Sequence, residues 1–154
     1  MPFENAHHGG DAARGAARRV DLGARIDAEL RARIEDAVDY ACLNAMVRSR
    51  AARGAPPPAA DDSKDRAEYV ERVTAFLEEL RVALAGRLDA ESRARLAPLV
   101  RDPAPDLSAA LDAQVALAKT LPDYWQAFLQ VRDPEPLSAS GRERGGLFRR
   151  LLRR

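Results

Sequence analysis

Three proline clusters, Pro56-Pro57-Pro58, Pro103-Ala104-Pro105 and Pro134-Glu135-Pro136, set the limits on what this chain can fold into. Proline lacks a backbone donor and pushes the residue before it toward extended geometry, so regular helices stop at these points. The stretches between them are rich in Ala, Leu, Arg and Glu, which have the highest helix propensities. No alternating apolar run bounded by turn dipeptides suggests a β-hairpin. The expected fold is all-α, an antiparallel bundle of four or five helices with a flexible N-terminal arm and a short amphipathic C-terminal tail helix. With 154 residues and 46% hydrophobic content, one core-bearing domain with tails is expected. Its divisions are an arm over 1–20, a bundle over 21–133, a linker over 134–146 and a tail over 147–154.

Wheel positions define the helices. In 22–45, Leu22, Ile26, Leu30, Ile34, Ala37, Val38, Tyr40, Ala41 and Ala45 share one arc of about 160°, interrupted by Asp27, Arg33 and Asn44. From Tyr40 to Val47 apolar residues surround the helix, which predicts the most buried part of the chain. In 63–88, with Asp62 or Ser63 as cap, the stripe is Tyr69, Val70, Val73, Phe76, Leu77, Leu80, Ala83 and Leu84. A short helix starts at the Asp89 cap and is limited or kinked at Pro98. Residues 107–132 form one helix bent, or two helices broken, at Pro122. Their face is Leu107, Leu111, Val115, Ala118 and Leu121, then Tyr124, Trp125, Phe128 and Leu129.

Catalytic candidates are scarce. His7 and His8, the only histidines, sit beside Gly9-Gly10 in the arm, where a three- or four-ligand metal site does not converge. The single Glu-x-x-His spacing, Glu4 to His7, cannot supply the paired motifs of a di-iron bundle. Gly9-Gly10 and Gly145-Gly146 lack the Lys-Ser/Thr of a phosphate loop. The carboxylate neighbours Glu35-Asp36, Asp61-Asp62 and Glu78-Glu79 diverge by about 100° on a helix rather than facing across a cleft. Cys42, the one cysteine, is read as apolar filler rather than a nucleophile, and Asn44 either fixes register or wets the bundle rim. No metal, cofactor or catalytic residue is expected. Tyr124, Trp125 and Phe128 are either core or a partner-binding anchor.

The clearest signal is the terminal segment Leu147-Phe148-Arg149-Arg150-Leu151-Leu152-Arg153-Arg154. On a wheel its apolar residues fall at about 0, 100, 40 and 140° and its arginines at about 200, 300, 240 and 340°, a complete segregation. Six arginines and one glutamate make Arg142–Arg154 +5, leaving −4 for residues 1–141 within a total of +1. A helix of eight residues spans about 12 Å and is unstable alone in water, so it needs an apolar or anionic surface to fold on. Of the surfaces, a groove on a partner protein fits best and an anionic lipid surface second; the alternative to all of them is an inert arginine-rich terminus or a last helix packed on its own bundle. Nucleic acid ranks third, because it leaves the apolar face without a role and the acidic body repels it.

The tail resembles the short amphipathic C-terminal membrane-targeting helices of bacterial cell-division and positioning proteins. It is also similar to the docking peptides that follow Gly/Pro/Ser linkers on cargo of bacterial protein compartments. Both resemblances rest on the pattern of about nine residues. The expected function is a non-enzymatic, cytoplasmic adaptor or assembly subunit that docks on a partner protein through 147–154. The alternatives are a peripheral membrane-surface protein with the tail as a weak anchor, or an accessory subunit of an enzyme or nucleic-acid complex. Homo-oligomerisation is compatible with each.

Overall fold

The computed structural model describes residues 10–133, and they form an all-α bundle. Six helices occur among the described residues: α1 Gly10–Ala52, α2 Ser63–Ala85, α3 Ala90–Arg95, α4 Ala97–Val100, α5 Leu107–Thr120 and α6 Tyr124–Arg132. The bundle itself is made by α1, α2, α5 and α6, while α3 and α4 carry the chain back between α2 and α5. The His7/His8 pair, the linker and the tail lie outside the described residues.

Local chemistry sets the boundaries. The Asp62 side chain accepts from the backbone N–H of Lys64 at 2.7 Å and of Asp65 at 3.3 Å, opening α2. Asp89 accepts from Ser92 N–H at 2.7 Å at the start of α3, and Asp106 from Ala109 N–H at 2.8 Å at the start of α5. Such caps satisfy donors that have no partner inside the helix. After α1 the chain turns at Gly54, whose φ of 67° lies in the left-handed region open to glycine at little cost. Pro122 separates α5 from α6, so this stretch is two helices rather than one bent one.

The arm assigned to residues 1–20 is helical from Gly10 onward, and α1 continues to Ala52. Residues 11–20 hold Ala and Arg at seven of their ten positions, and propagation from an established helix costs far less than nucleation.

Arg50 on α1 meets Asp65 and Glu68 on α2, and Arg31 meets Asp112 and Ser108 on α5. Lys119 pairs with Asp27 at 2.8 Å. Thus α2 and α5 both run opposite to α1. They run parallel to each other, with Val70 and Val73 beside Leu107 and Leu111, and Gln114 reaching the Leu77 carbonyl. The return through α3 and α4 permits this order. Ile34, Val38, Cys42, Val73, Leu77, Leu80, Leu84, Leu117, Tyr124 and Phe128 form the heart of the core. Each such side chain removed from water contributes roughly 1.5–3 kcal/mol.

The Tyr40–Val47 stretch is not the most buried part of the chain. Ala41, Cys42 and Met46 face the core, but Tyr40, Leu43 and Val47 are exposed. At 1.5 Å per residue, α1 is about 64 Å long against about 35 Å for α2 and 21 Å for α5. Partners on one side of so long a helix cover a single face and leave its opposite face open. Leu22 and Ile26, placed by periodicity in the core arc, are exposed for this reason.

Candidate interaction surface

The outer face of α1 is a straight line of residues at alternating four- and three-residue steps: Leu22, Ile26, Glu29, Arg33, Asp36, Tyr40, Leu43 and Val47. All eight are exposed, with Tyr40 at 64%, Leu22 at 57%, Ile26 at 50%, Leu43 at 45% and Val47 at 44%. Steps of 4 and 3 average 3.5 residues, the spacing that keeps a seam on one side of a helix. The line is apolar at both ends and charged in its middle. Single exposed apolar residues are ordinary on protein surfaces; here five share one helix face, two at one end and three at the other, with Glu29, Arg33 and Asp36 between them.

The face has a defined edge. The Arg33 guanidinium sits over the Trp125 ring, 4.4 Å from its centroid, holding this part of the seam against α6. The Asp133 carboxylate, at the last described residue, lies 4.0 Å from Arg48, beside Val47. The last described residue therefore lies next to the C-terminal end of the seam.

Of the three aromatics singled out in the sequence, Tyr124 and Phe128 are each 1% exposed and serve as core. Tyr124 packs edge-on to Trp125 at 5.2 Å, and Phe128 edge-on to Phe76 at 5.4 Å. Neither can anchor a partner in this arrangement, because α6 turns them inward; Trp125 is half-buried beneath Arg33. Leu147, Phe148, Arg149, Arg150, Leu151, Leu152, Arg153 and Arg154, expected from the sequence to dock on a partner or membrane, lie outside the described residues.

Two shallow grooves flank α1. One, of about 350 Å3, lies between α1 and α5, and its charges are mutually paired, Asp27 with Lys119 and Arg31 with Asp112. The other, of about 310 Å3, is lined by Glu35, Asp39, Tyr69 and Leu107 among others. There the Tyr69 hydroxyl donates to Asp39, whose carboxyl is pushed upward by burial and then by Asp36 and Glu35. Cys42 is buried, and its thiol is pushed up to about 11, first by burial and then by Asp39. A thiol so held is a poor nucleophile at neutral pH. Among the described residues no three His, Cys, Asp or Glu side chains gather to hold a metal, and no helix is long and apolar enough to cross a membrane.

Sequence reasoning missed two buried polar groups. Gln114, 1% exposed, accepts from the Tyr124 hydroxyl at 3.0 Å and donates to the Leu77 carbonyl at 3.5 Å. Arg81, 7% exposed, is held by Glu78 and the Val100 carbonyl. The signal for Gln114 was its place three residues after Leu111 and four before Ala118, on the apolar face of α5. The seam is also written in the sequence, but periodicity puts Leu22, Ile26 and Tyr40 in one arc with the core residues Ile34 and Val38. Comparison of the chain with protein families, curated proteins and solved structures finds no match.

Proposed function

We propose that this chain is a non-enzymatic assembly subunit, a helical bundle that joins a larger protein complex through exposed helix surfaces. The observation that carries the reading is the outer face of α1, where Leu22, Ile26, Tyr40, Leu43 and Val47 stand exposed in one row. The segment Leu147–Arg154 is the second docking element. Its apolar side suits a groove on a partner protein, and its arginines suit an acidic rim. A subunit of this kind fits a cytoplasmic setting, with the bundle as body and 134–146 as tether.

The test is affinity purification with chemical cross-linking, comparing the full chain with a version ending at Ser140. The reading expects a stoichiometric partner that the full chain captures and the truncated version does not. Equal capture by both versions contradicts it. Lipid docking is the second reading, favoured by the charge of the same segment. It predicts sedimentation with vesicles containing anionic lipid and none with neutral vesicles.

A further inference from the structure

The seam on α1 matches itself when reversed. We infer that α1 pairs with α1 of a second copy of this chain, antiparallel, about a twofold axis passing between Ile34 and Glu35. This deepens the assembly reading and rests on it, by naming a second copy as the partner of this face. In that register Leu22 meets Val47 of the second copy and Ile26 meets its Leu43, so the apolar ends cover one another. Glu29 meets Tyr40, whose hydroxyl donates to the carboxylate, and Arg33 meets Asp36. Each contact occurs twice, as a twofold interface requires.

Charge selects the direction. A parallel pair in register would set Glu29 on Glu29, Arg33 on Arg33 and Asp36 on Asp36, three like-charge layers. Charged residues within a helix seam fix orientation in this way. Antiparallel pairing turns the same residues into oppositely charged or hydrogen-bonded partners. From Leu22 to Val47 the contact runs about 39 Å, at the 8–10 Å axial separation of packed helices. All eight positions are exposed in the single chain; Arg33, which already lies over Trp125, is the one whose side chain must turn or be shared to meet Asp36 of the second copy.

Sedimentation equilibrium of the full chain tests this, with Leu43→Asp, Arg33→Glu and the swap Arg33→Glu/Asp36→Lys as variants. Circular dichroism confirms that each variant keeps its helices. The wild type is expected at twice its 16.9 kDa mass. Leu43→Asp and Arg33→Glu should each weaken the dimer by about tenfold or more, and the swap should restore most of what Arg33→Glu loses. A monomer at every concentration, or a dimer indifferent to these variants, overturns the pairing. If the pairing fails while truncation at Ser140 still abolishes partner capture, the assembly reading stands without it. If the dimer holds while no partner is captured, the tail assignment fails and the pairing stands.

Discussion

The Tyr124 hydroxyl donates to Gln114 Oε1 at 3.0 Å, with both residues 1% exposed. A buried acceptor deprived of its donor bears its full desolvation cost, whereas removing both partners leaves nothing unpaired. Tyr124→Phe is therefore expected to destabilise by about 1–3 kcal/mol, and Tyr124→Phe/Gln114→Met by less than the sum of the single changes. Urea unfolding followed by circular dichroism measures both. Additive losses would mean that the two groups do not interact.

The Phe76–Phe128 edge contact separates two kinds of burial. Phe128 is 1% exposed and Phe76 only half-buried. Phe128→Ala should cost about 3–5 kcal/mol, the range for a fully enclosed ring, and Phe76→Ala clearly less, because solvent fills part of its space. The same unfolding titrations check the order. The reverse order would move the core away from α6.

Arg50 clamps the start of α2 to the end of α1. Its hydrogen bond is the main cause holding the Asp65 and Glu68 carboxyls below their ordinary values, and the Ala59 N–H adds to the effect at Asp65. A carboxyl lowered in the folded state contributes stability that is complete above its unfolded value of about 4 and is lost as pH falls through the lower folded value. Asp39 and Glu79 are raised, so they act with the opposite sign. The melting temperature should fall on acidification from pH 5 to pH 2 more steeply in wild type than in Arg50→Met. Identical slopes would show that the clamp does not form.

Cys42 serves as an internal reporter. At 3% exposure, with its thiol pushed up to about 11, it should react with an aromatic disulfide reagent at pH 8 only as fast as the bundle opens. Labelling should accelerate in urea in step with the loss of helix. Fast labelling of the native chain would place Cys42 at the surface.

Much of the fold was legible because its determinants are local. The caps at Asp62 and Asp89 and the breaks at the proline clusters act within a few residues, and sequence displays them. The side of α1 that packs is not local. Leu22, Ile26, Leu30, Ile34 and Val38 share an arc wide enough to contain two faces, and the positions of α2 and α5 decide which is covered. Ile34 and Val38 went in, Leu22 and Ile26 stayed out. The seam was hidden for a related reason: Glu29, Arg33 and Asp36 occupy its centre, so apolar periodicity alone breaks there.

The tail is expected to fail in two distinguishable ways. Leu151→Asp puts a charge into the apolar side and should abolish docking at any salt concentration. Arg150→Glu reverses one long-range attraction, so its effect should shrink as salt rises. Neither should move the melting temperature of the bundle. Cross-linked capture across a salt series reads both, and full capture by both variants would leave the tail without a docking role.

The central claim, that the outer face of α1 is an interface, is tested most directly by distances between spin labels on the full chain. Labels go on cysteines introduced at Ala32 or Arg48, with Cys42→Ala in the background. Antiparallel pairing about the Ile34–Glu35 axis puts the two Ala32 labels close together along the helix, about 8 Å apart by axial rise, and the two Arg48 labels about 40 Å apart. A short distance at Ala32 with a long one at Arg48 is the predicted result. Short distances at both sites, or no dipolar coupling at either, would contradict it.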